Sequence, residues 1–452
     1  DFYFRIDPFT FENIDHYRNE DISLPGEFVA GNILKPMRQF LTVQENNSLG
    51  FEMNIPQEGI EVYDGKGKLY EFISMSNDGL KGSGTLRHLT SVTKSDEYKF
   101  YPDSMLTQAT TFNIEKDGGG LFPELKSEDV TIKWLPKENE WLAYNADDKR
   151  FNMFNNGSAL DGSLKLTPSR LSGSGAISMT DSRIVSNGFS FTSSQIRADT
   201  ADYNFRSPST SGYAFIAENA NTEIDFNLQK AAFHLNTDSS FVKLPEIEYI
   251  CTMTDFSYDM KTKILAMEQR GKSAAGSGLI PPEKLLALNM KTLEKPTFIA
   301  VNSLRDTIAF TARKANYNVE NEFIEAENIN YIHIADALIQ PEKGRIVINR
   351  RAKISKLENA YIAVNNRHLL HSATINIESA DRYSGSAIYN YVDDSKNVQP
   401  ITFSEIATDT LTTSAKGYIP ENQNFMLSQA FTFAGDVSLS ARQNNLFFTG
   451  SA

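Results

Sequence analysis

Apolar residues recur at every second position through much of the chain, most plainly over residues 171–205. Ala176, Ser178 and Thr180 fall on one face there, and Ile177 and Met179 on the other. Phe189 and Phe191 flank Ser190, and Tyr203 and Phe205 flank Asn204. A period of two points alternate side chains to opposite faces, so each piece buries one side and wets the other. Glycines and Asp/Asn/Ser clusters separate the pieces, as turns require. The pattern predicts several short strands in a row.

The same stretch has an earlier copy, 91 positions upstream, in which Leu80 matches Leu171 and Gly82-Ser83-Gly84 matches Gly173-Ser174-Gly175. At that offset Leu86 matches Ile177, Tyr98 and Phe100 match Phe189 and Phe191, Met105 matches Ile196, and Phe112 and Ile114 match Tyr203 and Phe205. One residue more of offset carries Ile132 and Trp134 onto Ile224 and Phe226, and Trp141 onto Phe233. A weaker third copy runs from Ser384-Gly385 through Ile406–Thr410, which echoes Ile196–Thr200. Repeated β units that cannot bury their faces alone imply stacking into a continuous core.

The expected organisation is a β-rich N-terminal segment (1–60), a first β repeat (61–165), a second (166–275), a linker with a short helix (276–296) and a solenoid-like C-terminal region (297–452). Within the first segment, Phe11 to Arg18 reads as one or two helical turns behind a Thr10 cap. The run Gly271–Gly278 is the natural boundary or exposed loop. Pro281-Pro282 then opens a helix over Glu283–Leu293, since proline suits a first turn. Residues 335–339, 358–362 and 371–375 share a small polar residue, then Ala, then x-Ile, the form of a β-solenoid rung. The fold class is therefore all-β: stacked strands in a solenoid or β-roll built by internal duplication, with one short helix near 283–293.

Composition narrows the chemistry. Apolar residues make up 40% of 452, enough for a large core, and the 30 Phe and 18 Tyr lean toward β-structure. The formal net charge of −13 is spread along the chain and disfavours nucleic acid, which needs a basic face. The one cysteine, Cys251, lies among apolar neighbours, so neither a disulfide framework nor a cysteine zinc site can form. No apolar run is long enough for a transmembrane helix. The chain opens and closes inside strand-like sequence, so it is expected to be a fragment of a longer chain, with any signal segment outside it.

No catalytic constellation emerges. His368 and His371 are the only close pair among six histidines, without the Glu-x-x-His context of a metal site. Both Gly-Ser-Gly motifs lie between strands, where backbone geometry explains them better than two nucleophiles. Asp117 with Gly118–Gly120, and Gly271-Lys272-Ser273, lack the rest of a phosphate loop. Asp199 with Asp202, and Asp393-Asp394, are acidic pairs, the latter a hairpin tip. A carbohydrate-active β-helix would need an acidic cluster with a nearby Lys or Arg. Asp336 with Arg350-Arg351 is the nearest such set. Phe189, Phe191, Tyr203, Phe205, Phe226 and Phe233 at strand spacing are either core or the lining of a lipid-facing groove. No cofactor, metal or catalytic residue is assigned.

Ser48-Leu49-Gly50-Phe51, the Gly-Ser-Gly followed by Leu-Thr-Ser over 82–91, and the run 335–377 resemble the large β-rich cell-envelope proteins of Bacteroidota. The stacked, glycine-punctuated strands are also similar in pattern to the AsmA/TamB/LptA-type β-groove lipid-transport proteins. The first resemblance implies the cell envelope, periplasmic or outer-membrane associated; together with the repeat, the lack of a catalytic constellation and the strand-like ends, the expected role is a non-enzymatic scaffold or binding protein working with other envelope proteins. The second implies a periplasmic lipid conduit.

Overall fold

The computed structural model describes residues 2–10, 18–116, 119–237, 239–269, 278–290, 292–301, 307–393 and 395–451. Over these residues the protein is all-β, and its only helices are short 3-10 turns. The chain divides into two compact units, Asp1–Ala201 with Thr222–Leu228, and Asp202–Asn221 with Gln229–Ala452. The expected helical turns over residues 11–17, the small-residue run up to Ser277, Asp117-Gly118, His16 and Asp394 lie outside the described residues.

The first unit opens with β1 (Tyr3–Ile6), β2 (Ser23–Val29), β3 (Met37–Val43), β4 (Leu49–Asn54) and β5 (Ile60–Val62). Longer strands follow: β6 (Gly67–Ser76), β7 (Gly79–His88), β8 (Ser91–Phe100), β9 (Met105–Ile114) and β10 (Leu125–Leu135). The chain then forms β11 (Glu140–Asn145), β12 (Phe151–Met153), β13 (Ser158–Thr167), β14 (Arg170–Ser178), β15 (Ser182–Phe191) and the start of β16 (Gln195–Arg206). From β6 to β11 each strand pairs antiparallel with the next in sequence.

These long strands do not alternate uniformly. In β8 the buried positions are Ser91, Thr93 and Ser95, and then Tyr98 and Phe100. In β9 they are Met105, Thr107 and Ala109, then Phe112 and Ile114; in β10, Leu125 and Ser127, then Val130, Ile132 and Trp134. In β15 they are Ser182, Ile184 and Ser186, then Phe189 and Phe191. Each strand carries two successive outward residues at its middle, and the parity of the buried face changes there. In β8 and β15 the cause is a β-bulge against the preceding strand, an extra residue that bends the strand and raises its twist, while β9 and β10 keep their register and change parity together with β8.

The pairing locates both bulges. Leu80 lies opposite Phe100 and Gly82 opposite Tyr98, but Gly84 lies opposite Ser95, so Asp96 and Glu97 together face Ser83. Leu171, Gly173 and Gly175 face Phe191, Phe189 and Ser186 in the same way, leaving Asn187 and Gly188 against Ser174. The two bulged hairpins are thus superposable in register, 91 residues apart. A buried serine supports each one. The Ser95 hydroxyl accepts from Glu97 N (3.2 Å) beside Gln108 O (2.9 Å), and the Ser186 hydroxyl accepts from Gly188 N (3.1 Å) and donates to Thr200 O (2.7 Å). Gly175 adopts φ +129°, and a Cβ there would lie 2.1 Å from the Asp161 carbonyl oxygen.

The unit's interior is aromatic. His88, Trp134 and Trp141 form one mutual ring cluster: the imidazole lies 4.7 Å from Trp134 and 5.1 Å from Trp141 (planes 11° apart), the two indoles lie 5.1 Å from each other, and Tyr63 is edge-on to Trp134. The His88 Nδ1 lies 2.8 Å from the Lys66 carbonyl, which can only accept, so the N–H sits there and Nε2 is bare.

In the second unit the pattern changes to short strands that form two interleaved antiparallel ladders. One joins Lys230–Leu235, Asp255–Asp259, Ile264–Glu268, Lys314–Asn318, Phe323–Glu327 and Ile346–Asn349. The other joins Val242–Leu244, Tyr249–Cys251, Phe298–Ala300, Ala309–Phe310, Ile332–Ile334, Ala337–Gln340 and Leu357–Val364. The chain makes a hairpin in one ladder, crosses, makes a hairpin in the other and returns. The three Ala-x-Ile pieces do lie side by side, but in antiparallel strands: Ile339 faces Ile362, and Ala360 faces Ala373. Cys251 is fully enclosed, and burial pushes its thiol up to about 12.

The helix expected over 283–293 is shorter than the sequence implied. A 3-10 turn spans Pro282–Ala287, and Leu288 is already extended at φ −73°, ψ 136°. Leu286, Leu288 and Met290 alternate with Ala287 and Asn289, a period of two that an α-helix cannot bury on one face. These side chains cover Leu338, Ala363 and Leu369 instead, and Asn366 holds the segment by donating to the Leu286 and Leu288 carbonyls at 2.8 and 2.6 Å.

Candidate functional site

The outward residue pairs of β8, β9 and β10 lie side by side on the solvent face of the first unit, and clefts open where these strands bend. One, of about 640 Å³, is lined by Thr111 and Asn113 of β9, Lys126 and Glu128 of β10, and the loop residues Asp147 to Arg150. The other, of about 540 Å³, takes Asp96, Glu97 and Lys99 of β8, Gln108 and Thr110 of β9, and Asp129. They continue one another along the same strands: the first takes positions 111–113 of β9 and the second positions 106–110. Together they make a trough of roughly 24 Å, at ~3.4 Å per strand residue, lined mainly by polar residues.

Its electrostatics are mixed. Lys149 bridges Glu128 at 3.5 Å and Asp129 at 3.6 Å, which raises its pKa chiefly through the Glu128 contact. Glu97 accepts from Lys81 (2.9 Å) and Lys99 (3.1 Å), and these hydrogen bonds hold its carboxyl below the usual range. The Thr131 hydroxyl donates to Gln108 Oε1 at 2.7 Å. The Asn145 amide donates to the Lys149 carbonyl, fixing the loop that carries Asp147, Asp148 and Arg150.

The six aromatic candidates divide between the units. Phe189 and Phe191 are buried in the first, rings 5.8 Å apart, and Phe226 is partly buried there against Phe154 at 4.8 Å. Tyr203, Phe205 and Phe233 are buried in the second, where Tyr203 and Phe233 lie 4.2 Å apart. Five of the six are at most 3% exposed.

The carboxylate-cation set is not assembled. Asp336 accepts from the Thr413 amide (3.2 and 3.1 Å) and hydroxyl (2.5 Å), and the enclosed Tyr383 hydroxyl lies 2.9 Å from that same hydroxyl. Arg350 instead pairs with Glu246 (2.8 Å) and Glu322 (3.1 Å), across hairpin turns of both ladders. Glu322 also accepts from the Ser207 and Ser209 hydroxyls at 2.8 Å. Arg350→Ala leaves Glu322, 5% exposed, without its cation. A loss of about 2 kcal/mol is expected in the urea midpoint, discounted because the Arg350 side chain is 46% exposed. An unchanged midpoint would show the network to be idle.

The histidine pair does not share a face. His368 is buried with Nε2 2.7 Å from Gln443 O, whereas His371 reaches outward to Asn390 Oδ1 at 3.0 Å. Asp199 is an outward residue at the bend of β16, and Asp202 accepts from Asn219 N at 3.0 Å. Asp393 accepts from Ser395 N and Asn397 N at a hairpin tip, and the Asn397 bond lowers its pKa. Among the described residues no group of three His, Cys, Asp or Glu can hold a metal ion, and no helix is long and apolar enough to cross a membrane.

The trough was missed in the sequence because its residues are ordinary polar side chains. The available signal was the slip of alternation in Ser95-Asp96-Glu97-Tyr98-Lys99-Phe100 and Ser186-Asn187-Gly188-Phe189-Ser190-Phe191, where two polar residues replace one. Comparison of the chain with protein families, with curated proteins and with solved structures found no match in any of the three.

Proposed function

We propose that the chain is a non-enzymatic binding scaffold of the cell envelope, periplasmic or outer-membrane associated, which works with other envelope proteins in a larger assembly. Its strands stack as duplicated β units in a solenoid- or roll-like body. The recurrence of the bulged hairpin at an offset of 91 supports the duplication. One observation carries the binding role: the aromatics that a lipid groove would expose are almost all enclosed, while the roomy clefts face solvent and are lined mainly by polar residues.

Native mass spectrometry with lipid extraction, on protein purified from its own envelope, tests this reading. Protein partners without lipid are expected. Lipid in stoichiometric amounts overturns it in favour of the conduit. Phe191→Asp separates the two further: it should unfold the first unit, because its ring is 3% exposed. A folded Phe191→Asp protein that has lost lipid capture would support the conduit. Hydrolysis of an envelope glycan, abolished by Asp336→Ala, would favour the carbohydrate-active alternative.

A further inference from the structure

We infer that the trough over β8, β9 and β10 binds an extended, uncharged glycan chain; this rests on the binding-scaffold reading and names its ligand class. Four observations point there.

The first is position. β9 pairs with β8 on one side and β10 on the other, and β10 pairs with β9 and β11. All three strands are interior to the sheet, with the ladders interrupted only at the bends, so a peptide that docks by adding a strand finds no free edge. Recognition falls to side chains.

The second is the inventory of those side chains. Asn113 and Asn152 present carboxamides, Arg150 a guanidinium, Asp147 a carboxylate and Thr111 a hydroxyl. Among the described residues, the side chains of Asn113, Asn152, Asp147 and Arg150 have no hydrogen-bond or ion-pair partner. A sugar hydroxyl donates and accepts at once, so a polyol satisfies such an alternating lining, and an acyl chain leaves it unsatisfied.

The third is charge. Lys99, Lys126, Lys149 and Arg150 are outnumbered by Asp96, Glu97, Glu128, Asp129, Asp147 and Asp148, on a chain of net charge −13. Polyanions, nucleic acid and uronate polymers included, are repelled.

The fourth is a flanking ring. Gln108 lies opposite Thr131 and Thr131 opposite Tyr144, so the three form one row across β9, β10 and β11. Tyr144 is 47% exposed and Leu106 39% exposed, giving the trough apolar margins on which the C–H face of a pyranose ring can rest.

Isothermal titration calorimetry with cellohexaose, maltohexaose, N-acetylchitohexaose and hexagalacturonate tests the inference. At least one neutral hexasaccharide should bind with a dissociation constant below about 1 mM, and hexagalacturonate should not. The Asn113→Ala/Arg150→Ala double variant should weaken that binding at least tenfold and Tyr144→Ala severalfold, with thermal midpoints unchanged because these groups project into solvent. No heat from any neutral hexasaccharide, equal binding by the double variant, or preference for hexagalacturonate overturns it. Mass analysis of the titrated sugar keeps the two readings apart. A cleaved hexasaccharide sinks the non-enzymatic role while leaving glycan binding standing.

Discussion

Gly175→Val should cost on the order of 4 kcal/mol of stability, read as a fall in the urea midpoint. The residue holds φ +129° beside the bulge of β15, a backbone state in which a β-branched side chain is strained by its own atoms. The new Cβ would also stand 2.1 Å from the Asp161 carbonyl oxygen and 2.8 Å from Gly162 Cα, both backbone atoms that cannot move without breaking the pairing of β13 with β14. Gly188→Ala is the control. It lies in the same bulge with nothing within 4 Å of its Cβ position, so a change within about 0.5 kcal/mol is expected. A Gly175→Val protein as stable as Gly188→Ala would mean that the bend in these strands is not fixed by the backbone at Gly175.

The urea midpoint should also fall between pH 6.5 and pH 4.5, and His88→Phe should remove most of that slope. Burial pushes the His88 imidazole below its ordinary value of 6.5, against a smaller opposing pull from the Lys66 carbonyl; the Lys66 charge adds to the depression. Below pH 6.5 the unfolded chain therefore binds a proton that the folded one refuses. Stability from this site is complete above that pH and declines as the pH falls, by at most about 1.4 kcal/mol per pH unit. Protonation would charge a buried ring packed against both indoles, whose Nε2 has no hydrogen-bond partner among the described residues. The carboxylates held low by their partners, Glu61 and Glu97 among them, contribute stability that is lost only below their ordinary value of 4.5, outside this window. Phenylalanine keeps the ring stack and cannot titrate. At pH 7.5 the variant should lose about 1 kcal/mol with the Lys66 bond. A flat wild-type profile, or an unchanged slope in His88→Phe, would refute the assignment.

Alternation made the strands legible. Tyr98 with Phe100 and Phe189 with Phe191 are buried as a period of two requires, and each lies opposite the glycine and leucine that precede it in the matching hairpin. The bends were not legible by that rule, because it assumes that one face stays buried along a whole strand. Asp96-Glu97 and Asn187-Gly188 break the parity, and the cause is tertiary: a strand that must serve a curved core needs an extra residue at the curve. The two ladders of the second unit were hidden for a related reason. Strands as short as Val242–Leu244 or Ala309–Phe310 carry too few positions for any period to show. The helix over 283–293 shrank to one 3-10 turn because its proline start was read without the spacing of the leucines behind it. The trough residues, being polar and unremarkable one by one, acquire meaning only when β8, β9 and β10 lie side by side.

From β6 to β11, pairing of each strand with the next in the sequence also governs how the first unit comes into being. Contacts between near neighbours close small loops, so little chain entropy is spent before each hairpin is rewarded, and folding is expected to be fast for a β protein. A chain delivered from its N-terminal end can add β7 to β6, then β8 to β7, without waiting for distant segments. At every stage of such growth the newest strand presents a bare edge to its surroundings. The half-made molecule is therefore more adhesive than the finished one, and its safety depends on how quickly the next strand arrives.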